Sequence, residues 1–349
     1  MIEDKKIWAC EKAYLKRVTG EIDRQIRMGV HAADDYKRDT IELQKRMWED
    51  VRCAPSSLFD LEDAAQINQI QMELANKAGI YRFSCERTER LRRMRPGPYF
   101  GRIDFLENGE GTAEPFYIGV RALGTCDAME PLVYDWRAPV SGMFYDFEIG
   151  PAGYSCPAGF IAGEMRLKRQ YRIENAGIVY MFDSSLSIND AMLQEILGKS
   201  TDNRMRTIVT SIQREQNTVI RNSRDRILIV EGPAGSGKTS IALHRAAYLL
   251  YRYRETLRSE NILIFSPNHV FEDYIAHVLP ELGEENVRGS TFADFFGNAF
   301  LPGRQVETAN QQTEYILASS RTGDVRPDCI RFKASALFLA ALKRYVRYL

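Results

Sequence analysis

The chain of 349 residues lacks the features that mark membrane, secreted and disulfide-built proteins. No apolar run approaches the roughly 18 residues of a membrane-spanning helix, so no membrane span is expected. The opening Met-Ile-Glu-Asp-Lys-Lys has no apolar stretch of the signal-peptide kind. Cysteine is present but unpatterned: Cys10, Cys53, Cys85, Cys126, Cys156 and Cys329 include no C-x-x-C pair. That argues against a zinc site and a disulfide framework, and fits a cytoplasmic setting. A charge excess is missing too. Lys+Arg and Asp+Glu both number 47, so any contact with nucleic acid must be a local patch rather than a basic coat. There is no internal repeat and no low-complexity tract. The remaining composition is that of a soluble globular protein, with length for two or three domains.

The most specific segment that is present is Gly232, Pro233, Ala234, Gly235, Ser236, Gly237, Lys238 and Thr239, a full match to G-x-x-x-x-G-K-[ST]. Each residue type has a phosphate-binding task. The glycines let the backbone curl so that its N–H groups face phosphate oxygens. Lys238 can reach the β- and γ-phosphates as a point charge and is the catalytic candidate. Thr239 can place its hydroxyl on Mg²⁺. Ser240 follows in a helix whose positive N-terminal end adds to the site. ATP and Mg²⁺ are therefore the expected cofactors. The flanks fit: residues 226–231 (Arg-Ile-Leu-Ile-Val-Glu) read as a strand buried on both faces, residues 240–251 as a helix, and residues 261–265 as a second buried strand. Together they predict a right-handed βαβ unit.

Upstream, residues 5–52 carry a helical stripe (Leu15, Val18, Ile22, Ile26, Val30), and residues 61–94 carry another (Ile70, Leu74, Ala78, Tyr81, Leu91). A short connection between two long helices predicts an antiparallel hairpin over residues 1–95, roughly 65 Å long at ~1.5 Å per residue. Its turn end is acidic, with Glu49, Asp50, Asp60, Glu62 and Asp63. Those carboxylates serve either as helix caps and solubilising charge or as a tip that enters a cationic or metal-bearing cleft. Residues 96–190 read as a β-rich module with short β-prone runs at 99–106, 115–122, 131–135, 143–149, 165–173 and 177–182. Within it, Trp136 and Arg137 are either a binding pair or a buried Trp beside a structural Asp135–Arg137 pair. The expected fold class is thus an α/β P-loop NTPase, RecA-like and partial at residues 191–310, preceded by the hairpin and the β-rich module. Residues 311–349 read as the start of a truncated helical insertion.

The flanking residues carry a resemblance. Gly-Ser-Gly-Lys-Thr followed by Ala-Leu-His-Arg-Ala-Ala-Tyr-Leu-Leu (242–250) resembles motif I of the UvrD/Rep-like superfamily 1 helicases. Gln216 stands where that family carries its adenine-reading Gln, with Gln213 as runner-up; an amide can donate to and accept from the adenine edge at once. Ser266, Pro267 and Asn268 resemble the following motif, and Thr291 with Phe292 the one after, loops that touch single-stranded nucleic acid in helicases. The hairpin, the 135–139 segment and Gln216-Asn217 ahead of the P-loop together resemble the HelD family. That resemblance implies an ATPase that binds bacterial RNA polymerase and recycles it, the hairpin entering the polymerase secondary channel.

One part of the expected machinery has no counterpart in the sequence. After Lys238 no apolar strand ends in the Asp-Glu that holds the Mg²⁺ shell and polarises the attacking water. The chain reads as the N-terminal half of a longer protein that hydrolyses ATP when intact; this chain alone is expected to bind ATP without turning it over efficiently. Two other readings stand beside the polymerase-directed one: a UvrD/Rep-like helicase or translocase acting directly on nucleic acid, and a non-catalytic binding module braced by nucleotide.

Overall fold

In the computed structural model the residues described are 2–53, 61–128, 130–183, 212, 214–282, 287–300, 307–318 and 325–348. The chain divides into two compact units, Met1–Leu263 with Asp273–Arg288, and Ile264–Glu272 with Gly289–Leu349.

The first unit opens with α1 (Ile2–Cys53) and α2 (Leu61–Met94). Neither contains proline, so nothing interrupts their backbone hydrogen bonds. They run antiparallel: Asp23 pairs with Arg95, Gln25 with Arg87 and Asp39 with Lys77, partner numbers falling as the first rises. At Gly29 the helices pack tightly: a Cβ there would stand 2.3 Å from the Thr88 hydroxyl oxygen. Leu15, Val18 and Ile22 are fully buried, whereas Met28, Ile41, Met72 and Phe83 farther out are exposed. The stripe is thus a core contact at the root of the arm and a thin seam beyond it. The acidic tip lies outside the described residues: 54–60 are not described, nor are the side chains of Glu49, Asp50, Glu62 and Asp63.

A seven-stranded mixed sheet follows: β1 (Gly101–Glu107), β2 (Glu114–Gly119), β3 (Leu123–Gly124), β4 (Pro131–Asp135), β5 (Gly150–Cys156), β6 (Gly159–Glu174) and β7 (Gly177–Asp183). The order is β3-β4-β2-β1-β6-β5, with β7 also on β6. Only β2 and β4 pair in parallel. β1 lines one edge of β6, while β5 and β7 share the other edge in tandem.

Register assigns the faces, because directly opposed residues share one. Arg102 lies opposite Tyr117 on β2 and Arg169 on β6, and all three meet Glu11 of α1. That face carries the root of the arm, with Tyr99, Tyr117, Leu132 and Tyr171 packed on Leu15, Val18 and Ile22. Ile103 lies opposite Phe116 and Lys168 and points to the other face. There α3 (Pro139–Asp146) packs, its residues 140–145 all buried.

The helix α3 corrects one expectation. Residues 143–149 read as a β-prone run, but 143–146 are helical. A helix buried all round shows no period, so only Pro139 at its first turn marks it. The strand β5 is not legible in the sequence because Gly-Pro-Ala-Gly-Tyr-Ser-Cys looks like a turn; proline and glycine are tolerated there at a sheet edge.

After residue 211 the first unit contains α4 (Arg214–Arg221), α5 (Lys238–Arg252) and a 3₁₀ turn (Ser259–Asn261). A two-stranded sheet, β8 (Leu263–Ser266) with β9 (Arg288–Thr291), and α6 (His269–Glu281) span the division between the units. The second unit continues with α7 (Phe292–Phe300), α8 (Ala309–Ala318), α9 (Arg326–Lys333) and α10 (Ala336–Tyr348). No helix among the described residues is long and apolar enough to cross a membrane.

Candidate nucleotide-binding site

The phosphate-loop sequence ends where α5 begins. Gly235 and Gly237 take φ of +83° and +81°, the left-handed region where a Cβ is disfavoured, and Gly237 is the residue just ahead of the helix. No side chain caps α5. Its first-turn N–H groups are therefore open to an anion, and the helix end adds positive potential. Lys238 Nζ donates to the carbonyl oxygens of Gly232 at 2.7 Å and Pro233 at 2.6 Å, so the ammonium is held across the loop. Thr239 is exposed and Ser240 half-buried. The Ser240 hydroxyl lies 3.2 Å from His244 Nδ1, and that nitrogen also bonds the Ser240 carbonyl at 2.7 Å. These groups fit a polyphosphate: open N–H donors, one cation at the loop and a hydroxyl beside it.

Gln216 sits on α4, and its Nε2 lies 3.5 Å from where a Cβ of Gly237 would stand. The adenine-reading candidate and the loop are thus neighbours, although 21 positions apart by their numbers. Gln213 lies outside the described residues.

The expected strand before the loop is not formed. Residues 226–231 have no regular structure, and Ile227 and Ile229 are 83% and 79% exposed. A central parallel strand needs a hydrogen-bonding neighbour on each side, and among the described residues β8 and β9 pair with each other instead. The predicted βαβ unit is therefore not closed; α5 and β8 are its two described members.

Three residues whose contacts the sequence does not reveal, Arg221, Asn217 and His244, tie α4 and α5 to the chain around β4 and α3. Arg221 donates to the carbonyls of Trp136 (2.7 Å), Arg137 (3.2 Å) and Ala138 (3.4 Å), and its guanidinium lies 5.3 Å from the Tyr248 ring centre. Asn217, fully buried, donates to Asp146 at 2.7 Å and accepts from Arg221 at 3.0 Å. His244, 1% exposed, stands edge-on to Trp136 at 5.5 Å, and burial holds its pKa below the ordinary value. Only the four-residue spacing of Ser240 and His244 was legible beforehand; the rest are long-range contacts. Trp136 itself is fully buried and Arg137 forms a bidentate pair with Asp135, at 2.7 Å and 2.6 Å. Of the two readings of that pair, the structural one holds.

In the second unit, Asn268 and Thr291 act as helix caps. Asn268 Oδ1 accepts from the Phe271 N–H at 2.9 Å, and Thr291 Oγ1 accepts from the Asp294 N–H at 3.2 Å. Ser266 is buried, and Phe292 is 65% exposed with its ring 6.0 Å from Phe265 and 4.8 Å from Phe296. Ser266 ends β8 and Thr291 ends β9, with Pro267–Asn268 and Phe292 directly after them, so both segments lie at strand C-termini, where open sheets place ligands. Pro267 lies between Ser266 and the capping Asn268.

An arm rooted on a mixed sheet, joined through a short helix to a phosphate loop, is consistent with a helicase-related α/β protein. The family model for the N-terminal domain of DNA helicase IV HelD matches residues 8–200, more than half of the 349. The chain belongs to the HelD family. The match covers the arm and the sheet and stops before the phosphate loop, so the two observations are independent. No curated protein matches the chain.

Proposed function

We propose that this chain is the ATP-binding N-terminal part of a superfamily 1 helicase-like motor that binds bacterial RNA polymerase and uses ATP to remodel or recycle it in the cytoplasm. The observation that carries the reading is the approach of the Gln216 amide to Gly237 of the phosphate loop, in a chain of the HelD family. In this reading residues 191–310 are a partial RecA-like domain and residues 311–349 the start of a helical insertion. Residues 232–240 hold the phosphates, Lys238 leaving the Gly232 and Pro233 carbonyls for phosphate oxygens. Thr239 holds Mg²⁺, and Gln216 reads the adenine. ATP supplies the free energy; the chain's own groups bind and orient it. With no Asp-Glu motif after Lys238, the expected outcome is Mg·ATP binding with turnover well below ~1 s⁻¹.

The test is titration with a fluorescent ATP analogue. Lys238→Ala abolishes binding, and Gln216→Ala erodes the preference for ATP over GTP. Unchanged affinity in Lys238→Ala removes the nucleotide reading. The polymerase reading is tested separately, by recovery of core RNA polymerase on the immobilised chain; no recovery removes it.

A second reading, a UvrD/Rep-like helicase or translocase acting directly on nucleic acid, draws on the exposed rings of Phe265, Phe292 and Phe296 beside the caps Asn268 and Thr291. Exposed aromatic rings are platforms for unpaired bases. Single-stranded DNA binding that falls with Phe292→Ala, without polymerase recovery, selects this reading.

A further inference from the structure

The end of the β1–β2 hairpin carries a cavity of about 480 Å³, on the sheet face opposite the arm. Three of the residues that line it are aromatic: Phe105 and Phe116 are buried in the sheet, and Tyr154 of β5 meets Phe105 edge-on at 6.2 Å. Its rim carries Glu107, Glu110 and Glu114. Among the described residues none of these three carboxylates has an ion-pair partner, and no cationic side chain lines the cavity. Elsewhere in the first unit, by contrast, carboxylates that face the sheet are matched: Glu11 with Arg102 and Arg169, Asp104 with Arg102, Asp183 with Arg169.

The negative field extends into the cavity. The Tyr154 phenol is raised above its ordinary pKa, first by burial, then by Cys156 and by Glu107 and Glu114. The carboxylates do not converge as ligands of one ion, since no group of three metal-binding side chains exists among the described residues. They are spread around a space of the size that takes a small organic molecule, roughly 300–1,000 Å³. Aromatic faces attract cations and carboxylates pair with them, and the two together select an extended organic cation over a compact divalent metal.

We propose that this cavity is a binding site for a guanidinium or alkylammonium group, held between the rings of Phe105, Phe116 and Tyr154 and the carboxylates of Glu107, Glu110 and Glu114. Either a basic side chain of a polypeptide or a free polyamine presents that chemistry. The site does not depend on nucleotide.

The experiment is calorimetric titration of the whole chain at low salt, with spermidine and with the tripeptide Gly-Arg-Gly as probes and MgCl₂ as control. At least one organic cation binds with a Kd below roughly 1 mM. The double variant Glu107→Gln/Glu114→Gln weakens it about tenfold or more, Tyr154→Leu weakens it roughly threefold, and Glu86→Gln on the arm leaves it unchanged. Stronger binding of the tripeptide identifies a polypeptide side chain as the occupant, and stronger binding of spermidine a free polyamine. Circular dichroism checks folding; if the double variant is unfolded, Glu110→Gln in the turn carries the test. No binding of either probe, equal binding by the folded variants, or displacement by equimolar Mg²⁺ overturns the proposal.

Discussion

The mixed sheet and the run leading into the phosphate loop are built from the same kind of apolar residue and reach opposite states. Ile103, Ile118 and Met165 are fully buried in the sheet, whereas Ile227 and Ile229 stand in solvent. The difference lies in where the partners come from. β5, β6 and β7 are consecutive in the chain and joined by tight turns, and β1 and β2 form a hairpin, so most of the sheet's hydrogen bonds close between neighbours in sequence. A strand of a nucleotide-binding sheet is parallel and finds its neighbours only across long connections. Apolar character thus marks a segment as able to be a buried strand. It becomes one only when strands are supplied on both sides.

The largest effect should come from breaking the sheet's attachment to the arm. Glu11 is 1% exposed and accepts from Arg102 at 2.7 Å and Arg169 at 2.9 Å. Glu11→Ala leaves both guanidiniums without this partner and should cost about 3–5 kcal/mol in denaturant unfolding. A loss under about 1 kcal/mol would show that the sheet is no more firmly tied than the loop.

An intermediate effect sharpens the comparison at the joint between the two regions. His244 is buried with its pKa depressed by desolvation. The unfolded chain therefore takes up a proton that the folded chain refuses. The stability this residue contributes is complete above a pH of about 6.5 and is lost as the pH falls through the lower folded-state value. His244→Gln should flatten the fall in stability below a pH of about 6.5. An unchanged acid slope in urea melts would place the imidazole in water.

The smallest effect is expected where the expected strand failed. Ile227→Thr and Ile229→Thr should each change stability by less than about 0.5 kcal/mol, since both side chains are already exposed. A cost above about 1.5 kcal/mol in the same melts would mean that the run is packed in solution.

Legibility in the sequence followed the range of the interactions involved. The two long helices could be read because no proline breaks residues 5–52 or 61–94 and the stripe repeats along them. β1, β2, β4, β6 and β7 could be read from short β-prone runs between turn residues. The phosphate loop could be read because eight contiguous residues carry it, and Gln216 because its position before the loop is fixed in the family resemblance. Glu11 could not be read. Its partners lie 91 and 158 residues away, and a single Glu on a charged helix looks like a solvated one. Arg221 was hidden for the same reason, since the carbonyls it holds are 83 to 85 residues upstream.

The length of β6 has a consequence for the order in which the molecule assembles. Sixteen residues of one strand serve three partners, and its two hairpins close over the shortest loops in the sheet. Such local pairings form fastest, because little chain entropy is lost in closing them. β1 must then find its register on the remaining edge across more than fifty intervening residues. Only the register that sets Arg102 beside Arg169 creates the paired cations that Glu11 requires. A slip of one residue turns Arg102 to the opposite face and leaves that carboxylate with half its charge partners. The root of the arm is therefore coupled to the threading of the sheet: α1 gains both of its Glu11 ion pairs only on a correctly registered β1.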